Sequence, residues 1–172
     1  MGALLLIPLL LIRFGLLGLL NREALVRAAH FPPMQGGERA AYWVYQLSNA
    51  GIFLALFFLR LRTAPAPLFW TGIAVYTAGA VLLAASAAGF AFPSEGGVNR
   101  RGIYRLSRNP MYIAYFLLFL GCAFLTQSLL LLGLVLIFQA AAHWIILAEE
   151  RWCAGQFGEA YHRYCREVRR YL

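Results

Sequence analysis

The sequence of 172 residues contains no lysine and no aspartate, so its charged side chains are Arg and Glu. Charged residues make up only 13% and hydrophobic residues 62%, whereas ordinary globular chains hold about 25% charged residues. A soluble domain of this composition could not cover its surface with polar groups. The 15 Arg residues lie between apolar runs and not on one polar face. We therefore expect the lipid bilayer as the partner, and no nucleic acid.

Cysteine is also scarce, which limits both disulfides and metal sites. Cys122, Cys153 and Cys165 are odd in number and have no paired spacing, so we predict no disulfide framework. Cys153, His162 and Cys165 fit no familiar zinc spacing and lack a fourth ligand. The sequence therefore predicts no metal site.

Long uncharged runs are abundant instead. Because a helix crosses the bilayer with about 20 apolar residues, residues 40–59 and 68–90 each predict one span. Residues 109–148 predict two spans joined by a turn at Thr126-Gln127-Ser128, and Gly2–Leu20 predicts a first span. Strands of a membrane barrel would be shorter and would alternate. We predict an all-α, polytopic transmembrane bundle of about five spans.

The end of the chain has a different pattern. Apolar side chains recur at spacings of four, three, four and three residues: Phe157, Tyr161, Tyr164, Val168 and Tyr171. This pattern predicts an amphipathic helix at the membrane surface or over the cytosolic ends of the bundle. We treat residues 1–172 as one membrane domain, with N-terminal helices at 1–95 and a cofactor-binding core at 96–172.

The Arg distribution predicts the orientation. The connections at residues 21–39 and 91–108 and the C-terminal tail share one side and hold most of the Arg residues. The connection on the other side holds only Arg60 and Arg62. The positive-inside rule places the N-terminus outside and the tail in the cytosol. Arg13 interrupts the first span and should face a neighbouring helix or snorkel, or act as a functional charge.

The loop at residues 96–112 is the first candidate for a binding site. Pro110 stands where a helix should begin, and free backbone N–H groups there suit an anion or an adenine ring. Tyr104 and Tyr112 add aromatic surfaces. The alternative is a plain loop with a helix-starting proline and tyrosines at the membrane interface.

The second candidate is the acidic pair Glu149-Glu150, at the cytosolic end of the fifth span. These carboxylates could accept hydrogen bonds from ribose hydroxyls or balance the charge of a cationic ligand. Alternatively, they could form ion pairs with nearby Arg residues. His143 lies two helical turns before Glu150 on a similar face. Ionisable groups in a span are functional candidates, although His143 could serve only packing or hydrogen bonding.

Together these residues resemble a known family. The pattern is Gly102-x-Tyr104, Arg108-Asn109-Pro110-x-Tyr112, an apolar hairpin, Glu149-Glu150, Phe157-Gly158-x-x-Tyr161-x-x-Tyr164 and Val168-x-Arg170. It resembles the isoprenylcysteine carboxyl methyltransferase family, which is grouped with the membrane phospholipid methyltransferases. The resemblance covers residues 96–170.

The resemblance implies a membrane methyltransferase that uses S-adenosylmethionine, releases S-adenosylhomocysteine and methylates a hydrophobic or lipid-like acceptor. The cofactor pocket would be cytosolic, and the acceptor would enter from the lipid. The residues expected to line the cofactor pocket are Gly96, Gly97, Val98, Asn99, Tyr104, Asn109, Pro110, Met111, Tyr112 and Glu149. His143 and Glu150 are the candidates for catalysis, although a carboxylate acceptor would need no general base.

The sequence departs from the family at three points, one of which is the absence of the usual Pro after the final basic stretch, and it leaves two other functions open. Asn109 replaces the usual His, and Ile145 stands where the isoprenylcysteine enzymes carry an Arg matched to their substrate. One alternative function is an NADPH-dependent membrane sterol-type reductase. The other is a non-catalytic membrane assembly or transport-associated protein. The methyltransferase interpretation requires the Tyr104–Tyr112 segment and Glu149 to meet at one end of the bundle.

Overall fold

A computed structural model describes residues 1–29, 31–93 and 97–171. Within those residues the regular structure is helical, and no strand occurs. The first helix contains a π-helical segment at Leu11–Leu16. A 3₁₀ turn at Gly102–Arg105 lies in the loop before the fifth helix. The helices are α1 (Gly2–Leu20), α2 (Arg22–Ala28), α3 (Glu38–Phe58), α4 (Ala66–Ala91), α5 (Pro110–Thr126) and α6 (Leu129–Glu167).

Four of these helices are long and apolar enough to cross a membrane: α1, α3, α4 and α6. The fifth apolar helix, α5, has 17 residues. Helix α6 has 39 residues and a kink at Gly158; the segment before the kink alone is about 44 Å long at a rise of about 1.5 Å per residue, which exceeds the bilayer core of about 30 Å. Its C-terminal part therefore projects from the membrane. The predicted fold class, a polytopic helical membrane bundle, is confirmed.

Glycines let α4 and α5 approach each other closely. A Cβ atom at Gly79 would collide with the backbone of Leu118. A Cβ atom at Gly121 would lie 2.5 Å from the backbone nitrogen of Tyr76. Small residues at such crossings allow the backbones of membrane helices to meet. The α4–α5 pair thereby holds the start of α5 in a fixed place beside the end of α4.

The connections of α5 and α6 follow the sequence signals. Helix α5 begins at Pro110, which needs no N–H partner in the first turn. The hairpin turns at Gln127, which has a φ of 52°, and the Ser128 side chain accepts from the N–H of Leu131 at the start of α6. Near its other end α6 kinks at Gly158 (φ 51°, ψ −130°), a conformation that glycine adopts readily.

The kink turns the end of α6 back over the loop before α5. Tyr161 and Tyr164 are buried there against Val98. Phe157 and Val168 pack on the same cluster. The apolar face predicted for the tail thus covers one end of the bundle, where the loop at residues 97–109 also lies.

Candidate functional site

A cavity of about 560 Å³ opens where α6 leaves the bundle. Pockets of about 300 to 1,000 Å³ are typical of small-molecule and cofactor sites. Its wall is mostly aromatic and apolar, with a few charged groups. The wall includes Arg13, Arg27, Tyr45, Gly97, Val98, Asn99, Tyr104, Arg108, Asn109, Pro110, Met111, Tyr112, Tyr115, Glu149, Glu150, Phe157, Tyr161 and Tyr164.

The loop before α5 is held against α4 and the tail. The Tyr164 hydroxyl donates to the Tyr104 carbonyl at 2.7 Å. The Tyr104 ring lies against Gly89, where a Cβ atom would be 3.1 Å from the ring. Tyr104 is 6% exposed, and this burial raises the pKa of its hydroxyl. Tyr104 is therefore neutral at physiological pH and serves as an aromatic wall.

Gly97 gives this loop a conformation that other residues rarely adopt. Its φ is +81°, and a Cβ atom would lie 2.5 Å from Cε1 of Phe157. Left-handed backbone is unfavourable for residues with a side chain. Gly97 therefore brings the loop backbone against the Phe157 ring at the cavity wall.

Tyr112 and Glu149 join the two predicted halves of the site. Tyr112 lies in the first turn of α5, and its hydroxyl donates to Oε1 of Glu149 on α6 at 2.6 Å. Hydrogen bonds to a charged acceptor are shorter and stronger than neutral ones. The Tyr104–Tyr112 segment and Glu149 thus meet at one end of the bundle, as the methyltransferase interpretation requires.

Glu150 lies next to this pair but is bound to the loop and the tail. Its Oε1 is 3.1 Å from a terminal nitrogen of Arg108 and accepts from the Asn109 amide at 3.1 Å. Its Oε2 is 2.9 Å from two nitrogens of Arg170. The carboxylate therefore ties the start of α5 to the C-terminal tail.

Two buried polar atoms in the cavity wall have no hydrogen-bond partner. They are Oδ1 of Asn99 and Nε of Arg108. Buried polar groups are nearly always hydrogen-bonded, so each exception calls for an explanation such as an absent ligand. With the Glu149 carboxylate and the tyrosine rings, these atoms provide donors, acceptors and flat surfaces. This combination fits a polar nucleoside cofactor.

The structure brings most of the predicted site residues together. The cavity wall includes Gly97, Val98, Asn99, Tyr104, Asn109, Pro110, Met111, Tyr112, Glu149 and Glu150. Gly96 lies outside the described residues. His143 is not part of the wall. Its Nδ1 lies 2.7 Å from the hydroxyl of Tyr171 in the tail.

Other wall residues were not predicted as part of this site. Tyr115 lies three residues after Tyr112, so both tyrosines are on one face of α5. This spacing could have indicated from the sequence that Tyr115 lies in the same site. Tyr45 on α3 and Arg13 on α1 come from distant parts of the chain. No local pattern reveals that they share a cavity with Glu149.

The fold and the cavity define a polytopic membrane protein with a half-open cavity of cofactor size at one end of its bundle. Residues 68–160, more than half of the chain, match the family model described as phospholipid methyltransferase. The chain therefore belongs to the phospholipid methyltransferase family and is an integral membrane methyltransferase. This membership confirms the family resemblance carried by the loop and Glu149. Comparison with curated proteins and with solved structures found no match.

Proposed function

We propose that this protein transfers a methyl group from S-adenosylmethionine to a lipid-like acceptor at the cytosolic edge of the membrane. The observation that carries the proposal is the hydrogen bond between Tyr112 and Glu149 in the wall of one cavity. It joins the loop and the helix end that the family resemblance assigns to the cofactor. Family membership and the membrane-embedded fold support a methyltransferase with a hydrophobic acceptor.

The residues of the chain would bind and orient the reactants. Bound S-adenosylmethionine supplies a methyl group on positively charged sulfur, and transfer to an acceptor lone pair leaves the carbon–sulfur electron pair on sulfur as a neutral thioether. The Glu149 carboxylate faces the cavity with a charge opposite to the sulfonium, and Tyr112 fixes its orientation. The rings of Tyr104, Tyr161 and Tyr164 exclude water. Alignment of the reactants supplies much of the rate enhancement.

The acceptor is proposed as a class, a hydrophobic molecule that arrives through the bilayer. At position 145, where the isoprenylcysteine enzymes carry an Arg, the fully buried Ile145 contributes no cation to the wall, so an acceptor carboxylate would need a cation elsewhere in the cavity. Glu150 is already held by Arg108 and Arg170, which favours a positioning role over proton transfer. His143 lies outside the wall, so its catalytic role stays a prediction.

Calorimetry on the detergent-purified chain tests the cofactor. We expect S-adenosylhomocysteine to bind the wild-type protein and NADPH not to bind. Glu149→Gln should weaken binding of S-adenosylmethionine, which carries the sulfonium, about tenfold or more, since hydrogen bonds and contacts to charged groups contribute about 1.5 to 3 kcal/mol. Glu159→Gln is the matched control, because Glu159 is an exposed glutamate on the same helix.

Two results would contradict the proposal. One is binding of NADPH in place of S-adenosylhomocysteine, which would favour a reductase. The other is no binding of either compound by a folded protein, which would favour a non-catalytic role. Mass spectrometry of membrane lipids incubated with labelled S-adenosylmethionine then identifies the methylated acceptor.

A further inference from the structure

The cavity has a cationic wall that the family match does not include. Arg13 lies in the middle of the first span and lines the cavity. The matched segment begins only at residue 68. Arg27 on α2 is exposed and also lines the cavity. The N-terminal helices therefore add positive charge to a site whose wall also carries Glu149.

Neutral partners hold the Arg13 guanidinium in place. One terminal nitrogen donates to the Tyr115 hydroxyl at 2.7 Å and the other to the Ala28 carbonyl at 2.6 Å. The five ion pairs within the described part of the chain do not include Arg13. The arrangement orients the cation and leaves its charge unneutralised by direct contact.

A charge at this depth in a span is costly, and such residues usually have a function. The π-helical segment Leu11–Leu16 includes Arg13, and π-bulges in helices are frequent at functional sites. Both observations point to a role in ligand binding and away from simple helix packing.

The position of Arg13 indicates which ligand it serves. Its partner Tyr115 is one turn further along α5 than Tyr112, about 4.5 Å deeper at about 1.5 Å per residue. Tyr112 contacts Glu149 at the cytosolic rim, so Arg13 lies on the membrane side of the cavity. A ligand that enters from lipid would reach Arg13 first.

We infer that Arg13 binds an anionic group of the methyl acceptor, so that the acceptor is a lipid-like molecule with a carboxylate or phosphate. The inference rests on the proposed methyltransferase function and deepens it. The guanidinium offers planar, paired donors that suit both anions. Glu149 would then face the sulfonium of the cofactor, and Arg13 would bind the anionic group of the acceptor.

Binding measurements in a neutral detergent test this inference with paired probes. The probes are oleate against oleyl alcohol, and 1-oleoyl lysophosphatidate against 1-monoolein. We expect the wild-type protein to bind each anion more tightly than its neutral counterpart. Arg13→Gln should weaken binding of the anions about tenfold, because charge-assisted hydrogen bonds are the strong ones. Binding of the neutral probes and of S-adenosylhomocysteine should stay within about twofold.

Arg22→Gln is the matched control, since Arg22 is an exposed Arg of the same region and does not line the cavity. It should leave the anion preference intact. Arg13→Lys keeps the charge and should retain part of the preference. The thermal midpoint of each variant reports whether it is folded.

Several outcomes would overturn the inference. A wild-type protein without anion preference is one, and this measurement needs no variant. Persistence of the preference in folded Arg13→Gln is another. Loss of S-adenosylhomocysteine binding with unchanged anion binding would assign Arg13 to the cofactor's carboxylate. Failure of the wild-type protein to bind S-adenosylhomocysteine would instead contradict the proposed function, while the anion measurements would still decide the role of Arg13.

Discussion

Gly97 shows how a single residue shapes the loop wall of the cavity. We predict that Gly97→Ala weakens S-adenosylhomocysteine binding and lowers the thermal midpoint of the protein. The new Cβ would meet the Phe157 ring at a backbone φ of +81°, and such strained positions cost about 1 to 3 kcal/mol. Thermal unfolding in detergent and calorimetry measure the two effects.

Gly155→Ala provides the contrast for Gly97→Ala. A Cβ atom at Gly155 would meet nothing within 4 Å in the helix, and alanine is favoured over glycine in helices by about 0.5 to 1 kcal/mol. Its midpoint should be unchanged or higher. Equal effects of the two substitutions would show that Phe157 does not constrain the loop.

At the scale of single residues, the sequence identified those near recognisable motifs. Tyr104, Tyr112 and Glu149 lie in short patterns whose chemistry suits a cofactor, and the structure places them in one wall. Tyr45 belongs to an apolar span in which nothing marks the face turned inward, and the charge of Arg13 marked it as a candidate without indicating its neighbours. Their place depends on how separate helices pack, which single-sequence periodicity does not determine.

At the scale of elements, Glu150 fastens the tail of α6 to the loop before α5. We predict that Glu150→Gln destabilises the protein by about 3 kcal/mol. Removal of the negative charge leaves the positive charges of Arg108 and Arg170 without their counter-ion, and such a loss in a buried ion pair is costly. The side chains of Glu150 and Arg108 are 11% and 10% exposed. Thermal unfolding of the detergent-purified protein measures the loss.

The pair Glu159–Arg166 is the exposed counterpart on the same helix, with side chains 67% and 64% exposed. Glu159→Gln should leave the thermal midpoint nearly unchanged, as is usual for exposed pairs. A Glu150→Gln variant as stable as Glu159→Gln would show that the tail is not fastened through Glu150.

The positions of most helices and of the hairpin turn were also predictable from the sequence. The spans, the hairpin at Gln127 and the start of α5 at Pro110 follow from apolar run lengths and from helix-end residues. The path of the tail was harder to predict from the sequence. Its apolar face was visible as a spacing pattern, but its packing partner, Val98, depends on the kink at Gly158. The ion pairs of Glu150 arise only once the tail has folded back.

At the scale of the whole molecule, the orientation in the membrane stays a prediction: the four long apolar helices together with the 17-residue α5 would place the two termini on opposite sides of the membrane. We predict that the tail is cytosolic and the N-terminus external, because the Arg-rich connections share the side of the tail. A C-terminal fluorescent protein fusion should fluoresce, and a C-terminal alkaline phosphatase fusion should be inactive.

Phosphatase fused within the connection at residues 59–65, between α3 and α4, should be active and serves as the opposite control. Activity at the tail with inactivity at that connection would invert the orientation. The cavity and its cofactor would then face away from the cytosol, and the proposed function would lose its supply of S-adenosylmethionine.

The cavity wall extends from Arg13 in α1 to Tyr164 near the end of α6. A ribosome therefore makes the residues of one wall at widely separated times, and the residues of the tail follow all of the helices before it. Until the tail folds over the loop, the nascent chain has helices in the bilayer but an incomplete cavity wall. Assembly of the cavity would thus follow membrane insertion of the helices.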